Sequence, residues 1–149
     1  MDRSGRRELD ALLATGRLER VPPDPAAAGR AVAAARRHLE SARTLADDDP
    51  DLAYTALYDA MRKACAALLA AQGLRATSRG GHLAVQRAVV AMHARAEALR
   101  PFDRVRRRRN EVEYLGGEVH PDDIDADLPA AVRVVEFVAA RLRRIDRID

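Results

Sequence analysis

The stretch that decides the fold is DPDLAYTALYDAMRKACAALLAAQG, residues Asp49 to Gly73. Its apolar side chains recur three and four positions apart, which is the spacing of one face of a helix, and more apolar residues flank that face. We therefore predict a helix that is buried along most of its length. It begins near Asp49 or Pro50, and Gly73 is the expected stop. The face consists of Ala53, Leu57, Ala60, Ala64, Leu68 and Ala71.

Helical patterns also lie on both sides of this stretch. Because short loops join long amphipathic helices, we predict an all-α fold, an up-and-down antiparallel bundle of four to five helices. No strand pattern is visible. The predicted helices of the bundle cover Ala26 to Ala46, His82 to Arg100, Phe102 to Leu115, and a last helix from Asp122 or Asp125 to Arg147.

The N-terminal segment is predicted to be an arm ahead of the bundle. Residues Glu8 to Leu18 have the pattern of a short helix, and the proline-rich run Val21 to Pro25 is a rigid extended break. Asp24 then serves as the N-cap of the next helix, with Pro25 at the first helical position. The predicted organisation is an arm and linker over residues 1–24 and one helical bundle over residues 25–149.

Composition limits the chemistry that the chain can perform. Its 149 residues are 48% hydrophobic, enough for one domain, and the scarcity of aromatic residues implies a core of small aliphatic side chains. Cys65 is the single cysteine, so neither a disulfide framework nor a thiolate metal site can form within one chain. With no signal-peptide pattern and no membrane-spanning stretch, we expect a cytoplasmic protein without a metal or cofactor.

The most unusual local feature is the string RRRRNEVEY, Arg106 to Tyr114. On a helical wheel Arg109 lies beside Phe102 at the edge of the buried face. A polar flank adjoins it, and this flank can hold a phosphate and stack a base. The alternative is a solvated ion pair between Arg109 and Glu113, spaced i and i+4. The flank contains Arg106, Arg107, Asn110, Glu113 and Tyr114.

Two segments together resemble the HEPN superfamily, small helical bundles found in prokaryotic toxin–antitoxin and defence systems. They are Ala53 to Arg75, followed after a loop by Gly81-His82-Leu83, and Arg109-Asn110 with Tyr114. The likeness covers roughly Ala31 to Ile145. It implies a bundle that works as a homodimer, whose paired motifs line one cleft, and a nucleotidyltransferase-type antitoxin as partner. Active members of the family are metal-independent ribonucleases.

The chain departs from the family motif at one position. Arg109 and Asn110 match its first two residues, but Tyr114 stands where a histidine is expected, and His120 lies too far along. Cleavage of RNA by its own 2′-hydroxyl needs a proton acceptor near neutral pH. The pKa of an unperturbed histidine is about 6.5, against about 10 for tyrosine. The usual catalytic base is therefore missing from the motif.

Three functions are compatible with this pattern. The first is a noncatalytic or atypical module that binds RNA, a nucleotide or a partner protein, and the missing histidine favours it. The second is a ribonuclease toxin that uses Arg109, Asn110 and Tyr114. The third is a structural dimerisation domain. Three residues of the buried helix, Tyr54, Tyr58 and Asp59, either line the same cleft as Arg109 or pack against the fourth helix.

We predict no catalytic or metal-binding role for the other polar residues that stand out in the sequence. We predict that His38, His82 and His93 are structural or solvated, because their spacing fits no metal site. The acidic cluster before the last helix is interpreted as charge at a helix N-terminus. It contains Asp122, Asp123, Asp125 and Asp127.

Overall fold

The computed structural model describes residues 1–145, and within them the chain forms six α-helices and one small sheet. Two strands form the sheet, and a single 3-10 helix, Glu97–Leu99, lies between the fourth and fifth α-helices. The elements in chain order are α1 Arg3–Ala14, β1 Leu18–Arg20, α2 Pro25–Leu45, α3 Pro50–Ala71, β2 Leu74–Ala76, α4 Gly81–Met92, α5 Phe102–Tyr114 and α6 Pro121–Ile145.

Helix α3 lies at the centre of the fold, as its sequence predicts. Helices α2 and α6 pack along it most extensively, and α4 and α5 contact it as well. The Asp49 side chain caps its N-terminus by accepting a 3.2 Å hydrogen bond from the backbone N–H of Leu52. Its end is followed by Gly73, whose φ of +78° suits glycine. The predicted all-α helical bundle is confirmed.

The N-terminal segment packs onto this bundle. Helix α1 begins and ends earlier than the predicted Glu8 to Leu18, and its buried Leu9 and Leu12 belong to the hydrophobic core. It approaches α4 so closely that a Cβ on Gly5 would lie 2.2 Å from the carbonyl oxygen of Ala91.

A two-stranded antiparallel sheet follows, with β1 paired to β2. Leu18 lies opposite Ala76, and Arg20 lies opposite Leu74. The sequence showed no strand pattern because three residues are too few to display an alternation. The sheet connects the N-terminal segment directly to the segment between α3 and α4.

Helix α4 is shorter than predicted. It ends at Met92 rather than Arg100, and a turn precedes the 3-10 helix Glu97–Leu99. The turn lets His93 pack its ring edge-on against Phe137 of α6, with the ring centroids 5.8 Å apart. Leu99 is buried beyond it. Tertiary packing therefore prevails over the helical preference of this alanine-rich stretch.

Helices α5 and α6 agree with their predicted positions to within a few residues, and Arg147, the predicted end of α6, lies outside the described residues. Asp122 and Asp123 occupy the first turn of α6, as the helix-terminus interpretation requires. Asp127 differs: it is buried and hydrogen-bonded, so that interpretation is wrong for this residue. None of the helices within residues 1–145 has the length and apolar character needed to cross a membrane.

Candidate anion-binding site

Arg109 lies on the inner side of α5, where two tyrosine rings surround its guanidinium group. Its side chain is only 13% exposed. The Cζ atom is 5.5 Å from the ring centroid of Tyr58 and 5.7 Å from that of Tyr114, within the range of cation–π attraction. Its ion pair with Glu113 is long, 3.8 Å between Nη2 and Oε1. The sequence pattern thus placed Arg109 correctly at the edge of the buried face.

Tyr58 of α3 forms the floor of the site. Its ring is fully buried and meets Phe102 edge-on, with 6.2 Å between centroids. Burial raises the pKa of the Tyr58 hydroxyl to about 12, although Arg62 and Arg109 oppose the shift. The phenol is therefore protonated at neutral pH and available as a hydrogen-bond donor. Tyr58 packs against α5 and also lines the site of Arg109, so both roles predicted for it are compatible with its position.

Arg62 lies one turn further along α3. Its Nε atom is 3.5 Å from Oδ1 of Asp59, an ion-pair distance that does not satisfy the N–H as a hydrogen bond. Asp59 is half-buried and supplies a carboxylate close to the arginines.

Unpartnered polar atoms concentrate at this place. Among residues 1–145, four buried side-chain nitrogen or oxygen atoms have no hydrogen-bond partner, and three of them belong to Tyr58, Arg62 and Arg109. The atoms are the Tyr58 hydroxyl and the Nε atoms of the two arginines. Leaving a buried donor unpaired costs roughly 1–3 kcal/mol. Three of these atoms therefore lie around one tyrosine, and each is a donor that no group within residues 1–145 satisfies.

His82 joins the same cluster from another helix. It lies in the first turn of α4, and its ring centroid is 5.7 Å from that of Tyr58. The His82 side chain is exposed, but its partial desolvation lowers its pKa, Arg62 and Arg109 lower it further, and Asp59 opposes them. The sequence predicted a structural or solvated role for His82, and its spacing gives no sign that it lies near Arg109. The one sequence signal that could have linked His82 to the site is its place in the Gly81-His82-Leu83 string, which is part of the family resemblance.

The other arginines of the basic string have partners elsewhere. Arg106 donates to Gln86 Oε1 at 2.8 Å and to Asp103 Oδ1 at 2.9 Å, and Arg107 forms an ion pair with the same aspartate. Hydrogen bonds from Arg106 and Gln86 hold the pKa of Asp103 down, at about 2. Arg106 and Arg107, both predicted to bind phosphate, are therefore already neutralised in part by Asp103. Arg107 remains 71% exposed.

The rest of the predicted site lies along the same side of α5. Asn110 is half-buried, and Tyr114 is 72% exposed beside Arg109. Glu113 accepts a 3.3 Å hydrogen bond from the Thr55 hydroxyl. The structure thus brings Arg109, Glu113 and Tyr114 together with Tyr58.

An alanine-lined groove of about 980 Å³ adjoins the cluster, and Arg62 and His82 line it as well. Lys63 stands beside them at the groove, with its Nζ 2.6 Å from Nε2 of His38. Burial, and then Lys63, lower the pKa of His38, which keeps that imidazole neutral and able to accept from the amine. Arg62 and Lys63 thus bring positive charge to the lining of the groove.

The donor set is suited to an anion. Arginine and tyrosine donate hydrogen bonds, whereas a metal ion needs acceptors. In the described part of the chain, no three His, Cys, Asp or Glu side chains are grouped so that they could hold a metal ion. Comparison with family models, curated proteins and solved structures gives no match for this chain.

Proposed function

We propose that the protein is a HEPN-type module that binds RNA, with one backbone phosphate held by Arg109, Arg62 and Tyr58. The observation that carries the proposal is the set of three buried, unpartnered atoms around the Tyr58 ring. A phosphate offers several acceptor oxygens, and it matches the planar donor fork of arginine. Its charge would also add to the partial compensation that Asp59 gives Arg62 at 3.5 Å and Glu113 gives Arg109 at 3.8 Å.

RNA is favoured over an isolated anion by Tyr114. Its ring is exposed, and it lies against the Arg109 guanidinium on the solvent side of the site. An exposed aromatic ring next to a phosphate-binding arginine can stack an unpaired base, which is the usual way in which proteins hold single-stranded RNA. The HEPN resemblance points to the same class of ligand.

The proposal includes partners that the resemblance implies. We expect a cytoplasmic homodimer in which two copies of α5 face one cleft, together with a nucleotidyltransferase-type antitoxin as partner. Exposed apolar side chains on α4 and at the end of α5 provide a surface for such contacts. They are Leu83, Val90, Tyr114 and Leu115.

The test is fluorescence anisotropy with labelled single-stranded RNA over a range of salt concentrations. Arg109→Ala and Arg62→Ala should each weaken binding by about 10- to 100-fold, the equivalent of about 1.5–3 kcal/mol for a hydrogen bond to a charged group. Arg133→Ala is the matched control, because Arg133 is exposed on α6 and lines a separate depression with Arg43. Equal affinity of all three variants would refute the site.

The structural alternative predicts a different result. A domain that only dimerises should show a salt-independent dimer in sedimentation velocity and no affinity for RNA at any salt concentration. Binding through phosphates instead weakens steeply as salt rises. Measuring RNA affinity and oligomeric state in the same buffers separates the two functions.

A further inference from the structure

His82 and Arg109 contact the same tyrosine ring from two different helices. The Tyr58 centroid is 5.7 Å from the His82 ring centroid and 5.5 Å from Cζ of Arg109. His82 is exposed, so a bound strand can reach its imidazole, whereas Tyr58 beneath it is buried. An imidazole therefore stands at the mouth of the proposed phosphate site, although the motif on α5 contains none.

We infer that His82 is the proton acceptor for cleavage of RNA bound at this site, a role for which the phenol of Tyr114 is unsuited. The inference rests on the proposed function, because it requires the phosphate to lie against Arg109 and Arg62. It differs from the family motif in assigning the base to the start of α4 rather than to α5.

The reaction balances without a metal or a co-reactant. His82 removes the proton of a ribose 2′-hydroxyl, and the 2′-oxygen attacks the adjacent phosphorus. The bond from phosphorus to the 5′-oxygen breaks, and water protonates the leaving oxygen. The products are a 2′,3′-cyclic phosphate and a 5′-hydroxyl, and His82 then releases its proton to solvent. Arg109 and Arg62 stabilise the extra negative charge on the phosphorane.

The charges around His82 favour the neutral, accepting form of the imidazole. Arg62 and Asp59 face it from α3, and Arg109 faces it from α5. Partial desolvation of the exposed His82 ring and the two arginines lower the pKa of His82 below its ordinary value, and Asp59 offsets part of this. Neutral imidazole accepts protons, so the cleavage rate should rise with pH through a pKa below 6.5 and level off near neutrality.

The other three histidines are placed where they cannot take this role. His38 is bonded to Lys63, and His93 packs against Phe137. His120 precedes α6, where its Nδ1 accepts from the backbone N–H of Asp122. Of the four histidines in the chain, His82 is the one whose surroundings include Arg109.

The experiment uses an oligonucleotide with one ribonucleotide in an otherwise 2′-O-methyl strand. The full-length protein should cleave it after that ribonucleotide and leave a 2′,3′-cyclic phosphate, and the all-2′-O-methyl strand should bind without cleavage. His82→Ala should lower kcat by about 100-fold or more, which is typical for loss of a general base. RNA affinity should remain within about threefold, and added imidazole should restore part of the rate.

His120→Ala is the matched control and should cleave like the unsubstituted protein, and Arg109→Ala should lose both binding and cleavage. If the protein binds RNA but does not cleave it, the inference fails and the binding function stands. If it neither binds nor cleaves, both fail. Equal cleavage by His82→Ala, or an unchanged pH profile in that variant, would also overturn the assignment.

Discussion

The Tyr54 hydroxyl donates a 2.7 Å hydrogen bond to Oδ2 of Asp127, and this contact joins the central helix α3 to α6. Arg104 of α5 donates to the other carboxylate oxygen at 2.6 Å, so one buried aspartate connects three helices. Burial, with the hydrogen bond to Asp127, raises the pKa of Tyr54, so its phenol remains a donor at all physiological pH values. Through Arg104, the same aspartate links α5, the helix that carries Arg109, to α3 and α6.

Removing this buried carboxylate should destabilise the fold. Asp127→Ala leaves the buried Tyr54 hydroxyl without its acceptor, and we expect the free energy of unfolding to fall by about 1–3 kcal/mol. Urea denaturation measures the change. Asp125→Ala, an exposed aspartate on the same helix, should stay within about 0.5 kcal/mol. In a double-mutant cycle with Tyr54→Phe, strictly additive losses would argue against the contact.

Replacing the floor of the anion site should separate stability from binding. Tyr58→Phe deletes a buried hydroxyl that has no hydrogen-bond partner among residues 1–145. Because no bond is lost, stability should be unchanged or rise by up to about 1 kcal/mol, while RNA affinity falls. Thermal unfolding and anisotropy measure the two effects. A destabilised variant with normal affinity would show that the hydroxyl serves the fold rather than the ligand.

Acid should weaken the start of α5 through Asp103. The pKa of Asp103 is about 2 in the folded protein, below the ordinary value of 3.8. The ionised carboxylate therefore stabilises the folded state relative to the unfolded state. Its contribution is present above pH 4 and is lost as the pH falls from about 4 towards 2. The loss is at most on the order of 2 kcal/mol, because the group is partly exposed. Asp103→Asn should show a smaller decline over this range in pH-dependent urea melts.

Cys65 should be inert until the protein unfolds. The thiol is fully buried in α3, and burial raises its pKa far above neutrality, so little thiolate forms in the folded state. A maleimide at pH 7 should label it only in denaturant. Ser41→Cys, on the exposed face of α2, supplies the positive control because that added thiol should react at once. Rapid labelling of Cys65 in native buffer would contradict the packing of α3.

The helices could be predicted from local signals. Asp24 with Pro25, and Asp49 with Pro50, mark the starts of α2 and α3, and both aspartates accept the expected hydrogen bonds. The apolar period then identifies α3 as the buried helix. The early end of α4 could not be predicted, because it depends on the packing of His93 against a helix more than forty residues away.

The candidate site was predictable only along one helix. The wheel identified Arg109 as unusually buried, but Arg62 and His82 come from α3 and α4, and only packing brings them to it. The sequence does contain a signal that Arg106 and Arg107 are not free to bind phosphate. Asp103 precedes Arg106 and Arg107 by three and four residues, the spacing of helical ion pairs, and so both arginines have an internal partner.

The pairing of β1 with β2 has a consequence for the order in which the chain can fold during synthesis. Leu18 cannot pair until Ala76 has been synthesised. Leu9 and Leu12 of α1 likewise cannot pack until α4 has left the ribosome, some seventy residues later. The hairpin of α2 and α3 has no such delay, since its contacts are local. Helix α1 is thus synthesised well before the helix and the strand against which its segment packs.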